Sequence, residues 1–163
     1  MDVPGVSARE PGWAAVVDAR DRWLGGDRAA RHDLASLSRD LDPTVTPYAA
    51  LMAAFWAATF AEPTERLDGD RHALVVAHAV LAGAEASSPA DSSPTDAARS
   101  MLPAMHLMLA EDHHADGEDD RAREQLAEAR RACDGAPEGA AREQAHAKVD
   151  DVCARLGLGA VES

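Results

Sequence analysis

Lysine, cysteine and aromatic side chains are all scarce in this chain. It has one Lys, two Cys, three Trp, two Phe and one Tyr in 163 residues. Two cysteines, Cys133 and Cys153, cannot build a disulfide framework, and they are not spaced as a metal knuckle. Both fall on apolar helix faces, where a free thiol behaves as a small hydrophobe. Long apolar runs are missing too: the longest, Tyr48 to Ala61, is 14 residues and includes Thr59, against about 20 for a membrane span. Met1 to Gly12 carries Asp2, Pro4 and Glu10 with no apolar core segment, so no secretory leader and a cytoplasmic location are expected.

Basic charge is short as well. Net charge is −13, with 29 acids against 16 bases. The excess is spread along the chain, at 13 against 8 over residues 1–90 and 16 against 8 over 91–163. Such a surface repels phosphate, and no basic stripe offsets it, so neither nucleic acid nor an anionic membrane is an expected partner. Lys148 is the lone lysine beside 15 arginines, a bias that points to a GC-rich genome. The chain has no Gly-x-Ser-x-Gly elbow, no glycine-rich phosphate loop and no cysteine in a setting that would lower its pKa. No enzymatic activity is expected. No alternating run is long enough for a strand.

Alanine is what the chain has most of, 37 residues. It is the best helix former and loses no side-chain entropy, so close-packed helices follow. The expected fold is all-α with about seven helices. One phrase recurs through it: Gly26-Asp27-Arg28, Gly69-Asp70-Arg71 and, stretched by two acids, Gly117-Glu118-Asp119-Asp120-Arg121. Behind each copy apolar residues return at helical spacing: Ala30, Leu34, Leu37, Leu41; Ala73, Ala77, Val80, Ala84; Ala122, Leu126, Ala129, Cys133. Each glycine is expected at a hairpin turn with positive φ, each acid as a cap, and each arginine as a solvated first-turn residue.

Pro and Gly punctuation places the helices at about 10–24, 27–40, 47–62, 70–86, 95–115, 119–133 and 140–156, with Thr46 capping the third, apolar one. A capping box is read at Ser93 to Asp96 and a kink or restart at Pro103. The third helix is apolar on nearly every side and belongs mid-fold. Residues 63–69 and 87–93 read as connectors, 1–9 as an extended or disordered lead, 10–157 as one domain and 158–163 as a flexible tail.

The pattern resembles the tetratricopeptide repeat, most closely over residues 103–137. There Ala110 sits at the small position of the first helix, Gly117 at the turn, and Ala122, Leu126 and Ala129 at the packing positions of the second. The first hairpin matches in part, with Gly26-Asp27 at the turn and Pro43 at the closing proline. Departures are His113 in place of the usual Tyr and turn glycines more widely spaced than the family's period of about 34. The resemblance implies three antiparallel helical hairpins and a C-terminal capping helix in a right-handed array; the alternative is an orthogonal helical bundle. It also implies a concave groove lined by the first helix of each hairpin. Trp13, Arg20 and Trp23 would face that groove from one hairpin, and Met108, Glu111 and His114 from another. Trp and Arg dominate interface hot spots. The plainer reading has Trp13 and Trp23 simply closing the N-terminal end of the core.

The run Glu111 to Asp120 is densest in possible metal ligands. Aligned as an EF-hand loop, it offers Asp112, His114, Asp116 and Asp120 around Gly117, but Arg123 stands where a bidentate Glu is required. Two Glu-x-x-His pairs, Glu111/His114 and Glu143/His146, have di-iron spacing, yet one closes a helix and the other opens one. His106, His113 and His114 could also hold zinc, although His106, His113 and His78 read more simply as hydrogen-bonded core histidines. His32 and His72 are assigned to polar faces. No metal or cofactor is therefore expected. The leading expectation is a non-enzymatic interaction module that holds a peptide or partner helix, with self-association to a homodimer through its apolar third helix. A metal-binding helical protein and a helical chaperone or regulatory subunit are the alternatives.

Overall fold

The computed structural model describes residues 10–85, 92–135 and 139–158. The expected N-terminal lead and all but the last two residues of the connector 87–93 lie outside them. Among the described residues there are seven α-helices and no strand: α1 (Trp13–Leu24), α2 (Ala30–Asp40), α3 (Pro47–Thr59), α4 (Arg66–Glu85), α5 (Ser92–Ala115), α6 (Asp119–Asp134) and α7 (Ala140–Leu156). The chain divides into two compact units, residues 1–98 and 99–163.

In the first unit α3 is the central helix, packing on α1, α2 and α4. Its alanines 49, 50, 53, 54 and 58 and Leu51 are buried. Methyl-sized side chains let the neighbouring helices approach closely. Val16, Ala19, Leu34, Ala49 and Ala53 form one core cluster; a fully buried Leu such as Leu34 contributes about 1.5–3 kcal/mol. Thr46 is the N-cap residue of α3, with Pro47 opening the helix, but its hydroxyl caps no amide and donates instead to the Asp42 carbonyl at 3.1 Å. The side-chain acceptor comes from 38 residues upstream: the Glu10 carboxylate accepts from the amides of Tyr48 (3.3 Å) and Ala49 (2.8 Å). These are two of the four N–H groups that a helix start leaves without a partner.

The second Gly-acid-Arg phrase is not a turn. α4 begins at Arg66, so Gly69-Asp70-Arg71 lies inside the helix, and the chain reverses between Phe60 and Glu65 instead. Gly69 is there for packing. A Cβ on it would stand 3.2 Å from the Cα of Ala58, so α3 and α4 cross backbone against backbone at this point. Asp70 is buried rather than capping.

The first and third copies do turn the chain, and by the same device. At Gly26 (φ 103°) the amide donates to the Trp23 carbonyl and that of Asp27 to Arg22; at Gly117 (φ 77°) the amide donates to His114 and that of Glu118 to His113. Paired bonds of this kind around a left-handed glycine are the Schellman closure of a helix. α7 ends the same way at Gly157, and the following Leu158 is buried, not part of a flexible tail.

In the second unit Leu107 and Ala110 of α5, Ala122, Leu126, Ala129 and Cys133 of α6, and Val149, Val152 and Cys153 of α7 share one core with Leu158. The positions that carry the repeat resemblance, Ala110, Ala122, Leu126 and Ala129, are all fully buried. α5 runs through Pro103 without a break. Both cysteines are free and buried, and burial pushes the Cys133 thiol above its ordinary pKa.

Candidate functional site

Trp13, Arg20 and Trp23 lie in the first unit, and Met108, Glu111 and His114 in the second. On α1 the spacing of Trp13, Arg20 and Trp23 puts them along one side of the helix, where they meet the aromatic side of α3. Trp13 packs against Tyr48 (ring centroids 5.0 Å apart) and Trp56 (6.3 Å). Trp23 stacks on Phe60 at 3.8 Å with rings nearly parallel. Two guanidiniums cover this layer: Arg20 lies 4.8 Å from the Trp56 ring and Arg28 lies 4.5 Å from the Trp23 ring. Trp13, Trp56 and Phe60 also pack on the core cluster of the unit. All five aromatic residues are half-buried. Stacked pairs add about 0.5–1.5 kcal/mol beyond burial, and exposed cation–π contacts about 0.5–1 kcal/mol.

Arg28 is exposed, as a solvated residue is, but it lies in the turn before α2 and also covers a ring. The apolar pattern of the third helix does not set Trp56 and Phe60 apart from its other buried positions. Their i, i+4 spacing was the available signal, because it sets both rings on the same side of α3. Arg20 also pairs with Asp21 at 2.6 Å.

The α5 residues are more heavily engaged within their own unit. Glu111 forms an ion pair with Arg155 of α7, and the His114 Nδ1 meets the Asp119 carboxylate at 2.7 Å. Met108 is half-buried. His113, buried, meets Glu118 at 2.6 Å, and this hydrogen bond, followed by Arg121, holds the Glu118 carboxyl below the usual carboxylate range. The His113–Glu118 and His114–Asp119 pairs thus clasp the α5–α6 turn, while Asp120 pairs with Arg123 within α6 at 2.9 Å. Among the described residues no group of three or more His, Cys, Asp and Glu is placed to hold a metal ion. His106 is a core histidine bonded to Gln125 at 2.8 Å, whereas His78, assigned to the core with it, is exposed. His146 meets Asp134 at 3.1 Å, and Glu143 is exposed.

A separate cavity of about 610 Å³ opens between α2, the end of α3 and the start of α4. Its apolar lining is alanine alone, at positions 35, 54, 57 and 61, with Gly69; Arg39, His32, His72, Ser38, Glu65 and Asp68 supply polar groups. The His72 Nε2 lies 3.1 Å from the Ser38 carbonyl. Nothing in the sequence pattern pointed to this cavity, since its walls come from three elements distant in the chain. Among the described residues no helix is long and apolar enough to cross a membrane. No protein-family model, curated protein or solved structure matches the chain.

Proposed function

We propose that this protein is a non-enzymatic interaction module, a tetratricopeptide-like adaptor whose α1–α3 face holds a partner segment of apolar anchors and acidic side chains. One observation carries this: five of the six aromatic residues of an aromatic-poor chain gather on one face, each half-buried, with Arg20 and Arg28 laid over them. Rigid rings and guanidiniums give large contact area at small entropy cost. An acidic partner group can take up Arg28 while an apolar side chain covers the ring it leaves. The α5 residues Glu111 and His114 contribute less in this reading, because a partner would first have to displace Arg155 and Asp119.

The test is affinity capture from native extract with three baits: wild type, Trp23→Ala/Arg28→Ala, and a control with Arg131→Ala, an exposed residue on α6. Expected is a partner retained by wild type and control and lost by the double variant, with a purified acidic–apolar segment of it competing. Equal retention by all three baits would overturn the reading. Capture of a second copy of this chain alone would replace the peptide with a homodimer.

A further inference from the structure

We propose that the cavity between α2, the end of α3 and the start of α4 binds a small zwitterion of dipeptide size. Its carboxylate would lie toward Arg39 and His32 and its ammonium toward Glu65 and Asp68. The volume, about 610 Å³, falls within the range of roughly 300–1,000 Å³ usual for small-molecule sites. It is a cleft open to solvent, with His32, Arg39, Glu65 and Asp68 exposed along its walls. It exists because the facing positions of α3 hold only Ala54 and Ala57, followed by Ala61 just past its end. The helices cannot close over it either, since Gly69 already brings α4 against the α3 backbone at Ala58.

The polar groups at its walls point to a ligand. Ser38, only 4% exposed, lines the cavity, and its carbonyl meets the His72 Nε2 at 3.1 Å. Arg39 has no ion-pair partner among the described residues, whereas ten other arginines do. The Glu65 carboxylate has none either, and Asp68 reaches only Arg71, at 3.9 Å. Arg31 is already held by Glu62. Charges of opposite sign therefore stand on different elements without pairing with each other. A simple anion would meet Glu65 and Asp68, and a simple cation would meet Arg39. A ligand with one charge at each end and an apolar middle satisfies both walls and the alanine floor. Two residues of extended chain, at about 3.5 Å each, hold the two end charges farther apart than a single amino acid does.

This site is independent of the aromatic face and is tested without it. The purified full chain is titrated calorimetrically with three probes: Leu-Leu, N-acetyl-Leu-Leu, which lacks the ammonium, and Leu-Leu amide, which lacks the carboxylate. Expected is saturable 1:1 binding of Leu-Leu, weakened about tenfold or more by capping either end. Arg39→Gln should weaken Leu-Leu yet leave the amide unchanged, and Glu65→Gln should weaken Leu-Leu yet leave the N-acetyl form unchanged. Ala61→Leu, at the cavity rim, should reduce Leu-Leu binding while circular dichroism stays that of wild type. No saturable Leu-Leu binding, or binding indifferent to Arg39 and Glu65, would overturn the proposal. Tighter binding of the N-acetyl form than of Leu-Leu would overturn it in favour of a plain anion site.

Discussion

Glycine does three different jobs in this protein, and a side chain added at each would report which one. Gly69 is a contact glycine in a helix, with Ala58 backbone 3.2 Å from where a Cβ would sit. Helix propensity alone would make Gly69→Ala stabilising by close to 1 kcal/mol, but the atom in the way belongs to a helix backbone that cannot yield alone. Gly83 is also helical and has open space around its Cβ position. Denaturant unfolding should therefore show Gly69→Ala destabilising by about 1 kcal/mol and Gly83→Ala stabilising by about 0.5 kcal/mol. Gly26 has room but φ 103°, so Gly26→Ala should cost about 1–2 kcal/mol through backbone strain alone. The three phrases look alike as text. What separates the second is the neighbour it meets, and local sequence does not contain Ala58.

Helices were the legible level, because alanine content, apolar spacing and Pro–Gly punctuation all act within a few residues. Six of the seven starts fall where the punctuation puts them to within three residues; α4 starts earlier, at Arg66, because its Gly-Asp-Arg is helical and not a turn. Caps were less legible when they came from afar. Thr46-Pro47 has the local form of a helix start, but Glu10 supplies the acceptor oxygens. Glu10→Ala should lower stability by about 1 kcal/mol in denaturant titration, as loss of an N-cap does. The α5–α6 turn gives a pH signature. Glu118 has a folded pKa below its ordinary value, so its contribution is present above the ordinary glutamate range and is lost as pH falls through the folded value. Thermal midpoints should therefore drop on acidification below about pH 4, and Glu118→Gln should flatten that drop. An unchanged slope in Glu118→Gln would remove the clasp from the account.

For the whole molecule the acidic balance sets the long-range behaviour. With a net charge of −13, the chain should pass through phosphate and heparin columns unretained at low salt, and retention would reveal a basic surface that the chain's composition hides. Helical class, the absence of a long apolar span, the free buried thiols and the central place of α3 followed from sequence alone, because each depends on composition or on short-range periodicity. The aromatic–arginine face, the alanine-lined cavity, the distant cap on α3 and the contact role of Gly69 were decided only by tertiary structure. Each joins residues from separate helices, and the distance between two helices is set by the smallest side chains at their crossing, a property of the pair and of neither segment by itself.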